Sequence, residues 1–203
     1  ETLMKVAFPT VLHSSRARFD IQFGSMERPT TKNTSWEYAK FESVGHKWAD
    51  LSESGYGAAL MNDSKYGYDV HDGVLRLTLL KSSNHPDYTA DAGLQEFTYS
   101  LLLHEGEWYE ANVDRESWEL NDPPIVFQGS AQLPALFPAE LPGVTFDAVK
   151  PAEDGKALIL RLHEKEGRHT SVSIPTAFPF RSWCECNPVS YTHLRAHETC
   201  ADL

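Results

Sequence analysis

Three short runs separated by tight-turn dipeptides constrain the fold of this chain more than any other feature. Residues 44–51 alternate between two faces, residues 56–61 are apolar, and residues 74–79 alternate again. Ser54-Gly55 follows the first run and Asp72-Gly73 precedes the third. Alternation with a period of two residues, bounded by such turns, is typical of antiparallel strands. The stretch therefore predicts three strands of one antiparallel fold.

The same alternation recurs outside this stretch and predicts an all-β chain. Residues 18–23 and 96–104 alternate apolar and polar side chains, and residues 24–35 form a polar loop. Residues 2–12 are apolar enough for an edge strand, interrupted by Pro9. The residues predicted to face one core are Phe19, Ile21, Phe23, Leu75, Leu77, Leu79, Phe97, Tyr99, Leu101 and Leu103.

Prolines divide the chain into two β units. Prolines at positions 123, 124, 134, 138 and 142 exclude a central strand or a long helix from this part of the chain. We therefore predict a first unit over residues 1–105, a linker over 106–143 and a smaller unit over 144–187. Within the smaller unit, strands are predicted at residues 144–149, 158–162, 170–174 and 181–185. Two hairpins alone are marginally stable, so we expect this unit to pack on the larger one.

Charge and cysteine content exclude several classes of function. The 203 residues carry 18 basic and 29 acidic side chains, a formal charge of −11, which disfavours nucleic acid and anionic membranes as partners. No apolar run approaches the roughly 20 residues of a membrane span. Three cysteines indicate a reducing compartment rather than a disulfide framework, so we expect a cytoplasmic protein. The chain begins at Glu1 without Met or a signal peptide, and we expect it to be a fragment.

One segment carries a specific family resemblance. HKWADLSESGYGAALMNDSKYGYDV, residues 46–70, resembles the C-terminal β region of family 38 glycoside hydrolases, the retaining α-mannosidases. The likeness is closest to the cytosolic and bacterial branch and runs to Asn187. Three further segments agree in the same order: FDIQFGSMERPTTKNTSWEYAKFE, LLKSSNHPDYTADAGLQEFTYSLLLHEG and LILRLHEKEGRHTSVSI.

The resemblance implies both architecture and activity. The fold would be the end of a large antiparallel β-supersandwich followed by a small C-terminal β-sandwich. The family's nucleophile and its metal, zinc or another divalent ion, lie in an N-terminal α/β domain that is missing here. The fragment alone is therefore expected to be inactive, with no catalytic residue, metal or cofactor of its own. Its expected partners are that catalytic domain and mannosides or oligosaccharides, and a homo-oligomer stays open.

A polar loop and the strand before it supply the candidate site residues. The loop from Asn62 to Asp69 groups acids, an amide, an amine and phenols between apolar strands, and we expect it to border the active site of the parent enzyme. Aromatic walls with a few polar groups are how small-ligand sites are built. Each of these residues has a structural alternative as a turn, cap or packing residue. The candidates for the substrate rim are Asn62, Asp63, Lys65, Tyr66 and Tyr68 in the loop, and His46, Trp48 and Asp50 on the strand.

Two other functions compete with the family assignment. A free-standing carbohydrate-binding module would need intact sheet edges, whereas residues 2–12 look like a strand without its neighbours. An enzyme of the mutarotase type would need an acid and a base, with histidine, converging in one site. Serine-nucleophile elbows, phosphate loops and dinucleotide fingerprints are absent.

The C-terminal tail does not belong to this pattern. Residues 188–199, PVSYTHLRAHET, resemble the in-frame translation of a transposase-type sequencing adaptor, so we exclude residues 188–203 from fold and function. His193, His197 and Glu198 in this tail have the wrong order for a metalloprotease zinc motif. Cys184 and Cys186 are too few ligands for a metal site.

Overall fold

The computed structural model describes residues 2–130, 135–137, 141–186 and 201–202, and its strands pair antiparallel throughout. The predicted all-β class is confirmed. The chain divides into unit 1, Glu1–Phe127, and unit 2, Gln128–Leu203. The helices are α1 (Ser35–Ala39) and α2 (Val113–Asn121). The strands are β1 (Thr2–Pro9), β2 (Arg16–Ile21), β3 (Gly24–Pro29), β4 (Ser43–Val44), β5 (Trp48–Glu53), β6 (Tyr56–Asn62), β7 (Gly67–His71), β8 (Val74–Ser82), β9 (Tyr99–Glu105), β10 (Val144–Pro151), β11 (Leu158–Glu164), β12 (Ser182–Trp183) and β13 (Ala201–Asp202).

Unit 1 is a sandwich of two sheets. One has the order β3-β2-β5-β6-β9 and the other the order β1-β8-β7-β4. Side chains from both sheets meet in one core cluster, and the Phe19 ring lies edge-on to Tyr68 with centroids 6.2 Å apart. The three predicted strands of the central stretch therefore belong to different sheets, β5 and β6 to the first and β8 to the second. Residues 63–66 connect the two sheets.

Two predicted loops are partly strands. Residues 24–29 form β3, which pairs with β2. Residues 67–71 form β7, which pairs with β8 through partners such as Tyr68 and Leu77. On β7 the side chains alternate, with Tyr68 and Val70 buried and Asp69 and His71 half-buried, as expected of a strand. β3 is an edge strand, and none of its residues is buried.

The predicted core is correct on β8 but wrong on β9. Leu75 and Leu77 are fully buried, Phe19 and Leu79 are nearly so, and Phe97 packs on the same cluster. The residues predicted inside but found exposed are Phe23 at 63%, Tyr99 at 39%, Leu101 at 36% and Leu103 at 71%. Phe23 sits in the β2–β3 turn with a φ of 54°, whereas the other three lie on β9, the edge strand of its sheet.

A second, smaller cluster covers the other face of the five-stranded sheet. Val113 of α2 and the Trp108 ring pack against Trp48, Ala59 and Met61, and the Trp48 and Trp108 rings stack with centroids 5.2 Å apart. Residues 106–127, which sequence analysis assigned to the linker, therefore belong to unit 1. Trp108 and Val113 are buried in this cluster, and Ala111 and Leu120 pack against it, whereas Ile125, Val126 and Phe127 remain exposed.

Unit 2 contains the β10–β11 hairpin, in which Phe146 pairs with Leu162, and the short β12–β13 pair. The strand predicted at residues 170–174 does not form, and the one predicted at 181–185 shortens to two residues. Of the tail at 188–203, only residues 201–202 are described, as β13, so its interpretation as adaptor sequence lies outside the described residues.

Candidate functional site

The loop between β6 and β7 is organised by one buried side chain. Asn62 is 1% exposed, and its Oδ1 accepts hydrogen bonds from the backbone N–H groups of Ser64, at 2.9 Å, and Lys65. Its Nδ2 donates to the carbonyl oxygen of His46, at 3.1 Å, and to the Tyr68 hydroxyl. An asparagine that bonds the backbone two and three residues ahead is a strong turn former. The turn is therefore built from its first residue.

Four of the candidate residues are accessible at this turn. Asp63 and Tyr66 are exposed, and His46 and Lys65 are half-buried. The His46 and Tyr66 rings meet edge to face with centroids 5.6 Å apart, and the Lys65 ammonium lies 5.0 Å from the centre of the Phe97 ring. An aromatic pair beside an amine and a carboxylate offers a stacking face and both kinds of hydrogen-bonding group for a polar ligand.

Asp63 is held as a carboxylate by its local bonds. Its Oδ1 accepts from the backbone N–H of Thr98, at 3.0 Å, and from the Ser64 hydroxyl, at 2.8 Å. Its slight burial would raise the pKa of the carboxyl, but these bonds outweigh that effect and hold the pKa below its ordinary value. At neutral pH the turn therefore presents a negative charge next to the Lys65 amine.

The other four candidates are buried inside unit 1 and do not line a surface. Trp48 is 1% exposed, Asp50 2%, Asn62 1% and Tyr68 0%. Burial raises the pKa of the Tyr68 hydroxyl far above its ordinary value, so this phenol stays neutral. His46, Trp48 and Asp50 were predicted to form one sugar-binding strand face. That prediction is wrong for Trp48 and Asp50, because the α2 segment and β9 cover them.

A buried Asp–His pair lies on this covered face, and sequence reasoning missed it. Asp50 Oδ2 lies 2.7 Å from His104 Nε2, and the Ser52 hydroxyl donates to the other oxygen of Asp50. Burial alone would lower the pKa of His104, but the hydrogen bond and charge of Asp50 outweigh it, so the net pKa is raised. The signal available in sequence was only that Asp50 and His104 interrupt apolar strand faces. The pair is an acid and a histidine in contact, as a mutarotase-like site would require, yet both side chains are at most 4% exposed.

A second ion pair, with a buried acid and a partly buried base, lies next to α2. The Asp20 carboxylate pairs with the Lys47 ammonium at 3.0 Å, and burial raises the pKa of Asp20 despite that partner. The same ammonium lies 4.6 Å from the centre of the Trp118 ring. These contacts attach α2 to the sheet by charge as well as by apolar packing.

The polar segment at residues 29–43 forms a shallow cleft with β7. Its acidic side chains already bond neighbouring residues. Glu37 Oε2 accepts a hydrogen bond from Thr31 Oγ1 at 3.1 Å, and Asp69 forms an ion pair with Arg76 at 3.3 Å. We assign no ligand to it.

Within the described residues there is no group of three or more His, Cys, Asp or Glu side chains placed to hold a metal ion, so we derive no metal chemistry from this chain. No helix in the described part is long and apolar enough to cross a membrane.

Comparisons with known proteins identify the family. Residues 1–89 match the family described as "Glycosyl hydrolases family 38 C-terminal domain", and residues 143–189 match "Glycosyl hydrolases family 38 C-terminal beta sandwich domain". The second match falls on the segment for which a small C-terminal β-sandwich was predicted.

Relatives agree along almost the whole chain. Alpha-mannosidase 2C1 of Homo sapiens is 39% identical over 206 residues, covering 98% of this chain and 20% of that protein. Alpha-mannosidase G of Dictyostelium discoideum is 40% identical over 195 residues, covering 91% and 18%. The chain thus spans about a fifth of the length of these relatives.

A solved structure shares the fold. The α-mannosidase from Enterococcus faecalis V583 superposes with a TM-score of 0.71 over 86% of this chain and 21% of its own, at 18% identity, which shows the fold alone. With two family 38 domains in order and relatives along nearly its full length, the chain belongs to glycoside hydrolase family 38 and comprises its C-terminal β region.

Proposed function

We propose that the full-length protein is a retaining α-mannosidase, to which this chain contributes the C-terminal β region. The observation that carries the proposal is 39–40% identity to proteins named α-mannosidase over more than nine-tenths of the chain. The catalytic carboxylates and a divalent metal, expected to be zinc, would lie in a preceding α/β domain. Retaining hydrolysis needs two carboxyl groups about 5 Å apart, one ionised and one protonated. Asp50 is buried against His104, and Asp20 against Lys47, so neither is offered for that role.

The activity is tested on the full-length polypeptide with an aryl α-mannoside. We expect hydrolysis with retention of anomeric configuration, which NMR of the first product formed measures. We also expect loss of activity after removal of the metal with a chelator. Residues 1–187 produced alone should give no turnover. Turnover by that fragment, abolished by a substitution inside it, would contradict the assignment of catalysis to another domain.

We further propose that the turn at Asp63–Tyr66 borders the substrate site of the full-length enzyme. The support is the exposed grouping of Asp63, Lys65 and Tyr66 with the His46 ring. The alternative role is packing against a neighbouring domain. If the turn contacts substrate, Lys65→Ala and Tyr66→Phe should each lower kcat/KM at least tenfold at unchanged melting temperature, equivalent to about 1.4 kcal/mol of transition-state stabilisation. Values within about twofold of wild type would assign the turn a structural role.

A cytoplasmic location accompanies this proposal. Cys184 and Cys186 are free and exposed, as is typical of a reducing compartment. The net charge of −11 supports substrates and partners other than nucleic acid or anionic membrane. Fractionation of cells that produce the full-length protein, with detection by antibody, tests the location; recovery in the secreted fraction would overturn it.

A further inference from the structure

The backbone of Asn62, and not only its side chain, is held from outside the loop. Its N–H donates to the carbonyl oxygen of Lys47 at 2.9 Å, and its own carbonyl oxygen accepts from Asn121 Nδ2 at 3.0 Å. Asn121 is the last residue of α2 and lies 59 positions further along the chain. The residue from which the turn is built is thus bonded directly to the helix on the far face of the sheet.

The end of α2 is placed well enough to serve as such a support. Asn121 Nδ2 also donates to the carbonyl oxygen of Ser117 at 2.8 Å, which ties the side chain back to its own helix. Val113 and Ser117 are fully buried against the sheet. The backbone carbonyl of Lys47 accepts the hydrogen bond from the Asn62 N–H, and the Lys47 ammonium lies 4.6 Å from the centre of the Trp118 ring. Both backbone groups of Asn62 therefore lead to α2, one directly and one through Lys47.

We propose that Asn121 is a positioning residue that makes the docking of α2 a condition for the ordered course of the Asp63–Tyr66 turn. A helix that only covered Trp48 and Met61 would need no polar contact to Asn62, whereas this helix ends on one. The side-chain oxygen of Asn62 accepts hydrogen bonds from the backbone N–H groups of Ser64 and Lys65. A shift of Asn62 therefore moves both residues. The inference rests on the proposed function only for its effect on catalysis, since the order of the turn can be measured without substrate.

The test replaces the donor in the full-length protein. In Asn121→Ala, amide hydrogen exchange at Ser64 and Lys65, resolved by mass spectrometry with fragmentation, should accelerate about fivefold or more, the effect of losing one hydrogen bond of ordinary net strength. Exchange in the centre of β6, at residues 58–61, should change by less than about twofold. The matched control is Glu116→Ala, on the exposed face of the same helix, which should leave exchange at both amides unchanged.

Each outcome decides a separate point. Unchanged exchange at Ser64 and Lys65 in Asn121→Ala overturns the inference, whatever the activity. Faster exchange together with a fall in kcat/KM by a similar factor supports both the positioning role and the place of the turn at the substrate site. Faster exchange with unaltered hydrolysis supports the positioning role and overturns the part of the turn in catalysis. If Asn121→Ala does not fold, Asn121→Ser retains a local bond to the Ser117 carbonyl but is too short to reach Asn62, and the same outcomes apply.

Discussion

His104 and Asp50 are a buried ion pair whose strength depends on pH. The His104 ring lies directly over Gly57, where a Cβ would come within 2.6 Å of its Cε1 and also meet the Ser52 hydroxyl. Glycine at this position lets the imidazole reach Asp50 across β6. Arg18 lies opposite Asp50 in the β2–β5 register, and its guanidinium pairs with Glu27 at 3.0 Å and lies 5.3 Å from the centre of the Trp108 ring. The pKa of His104 is raised above its ordinary value of 6.5 because Asp50 stabilises the charged form more than burial destabilises it.

The raised pKa predicts the direction of a stability change with pH. His104 binds its proton more tightly in the folded state, so its contribution to stability is fully present below about pH 6.5 and is lost as pH rises through the folded pKa. The melting temperature of the wild-type full-length protein should exceed that of His104→Asn most at pH 6, and the difference should shrink toward pH 9. Thermal unfolding of both proteins across this range measures it.

Asp50→Asn supplies the control, because it keeps the shape and removes the charge. In that background the His104→Asn substitution should give a difference that no longer shrinks with rising pH over the same window. A wild-type difference that grows with pH would contradict the direction assigned to the His104 pKa.

Among the elements, β8 contributes three leucines to the core cluster of the sandwich. Its alternate residues Leu75, Leu77 and Leu79 face the five-stranded sheet, and Leu77 is fully buried opposite Tyr68. On β9 the corresponding alternation leaves Leu103 mostly exposed, because β9 is the edge strand of its sheet. Strand position, rather than side-chain type, thus decides the energetic weight of a leucine.

Leu77→Ala should lower the free energy of unfolding of the intact protein by about 2–5 kcal/mol, from lost burial plus the cavity left behind. Leu94→Ala is the matched control: Leu94 is 88% exposed, and the same substitution should cost less than about 0.5 kcal/mol. Denaturant unfolding of the two variants measures the difference, and equal costs would refute the placement of the core.

At the scale of the whole molecule, unit 1 has exposed apolar side chains on an edge strand of each sheet. These strands are β1 and β9, and Phe8 of β1 and Tyr99 of β9 touch with centroids 6.1 Å apart, so the two edges approach each other. Leu3 and Met4 on β1 and Leu103 on β9 are 51%, 50% and 71% exposed. Exposed apolar side chains along unpaired strand edges are typical of interfaces and of aggregation sites. We expect other polypeptide to cover these edge strands in the full-length protein.

Residues 1–187 produced alone should therefore self-associate through these edge strands. Leu103→Lys should shift the fragment toward monomer, because a charge on an edge strand opposes edge-to-edge pairing. Sedimentation velocity at several concentrations measures the shift. Leu94→Lys, a substitution of a more exposed leucine outside the strands, should leave self-association unchanged. A monomeric wild-type fragment would contradict the prediction.

The sequence alone determined the family, the antiparallel class and the strands with a simple alternation. β8 is the clearest case, since Leu75, Leu77 and Leu79 alternate with polar residues and the alternation is a local property of the strand. Family membership likewise depends on the order of residues in continuous segments, such as 46–70. Exposure of Asp63 and Tyr66 followed from their place in a turn.

Tertiary structure alone decided what covers each face. Trp48 and Asp50 look like a polar surface in sequence, but α2, beyond the predicted first unit, buries that face of the sheet. On β9, the alternation predicted Tyr99, Leu101 and Leu103 inside, but all three are exposed because β9 lies at a sheet edge. The Asn62–Asn121 bond joins residues 59 positions apart. Such contacts arise from the packing of distant elements, which no local pattern encodes.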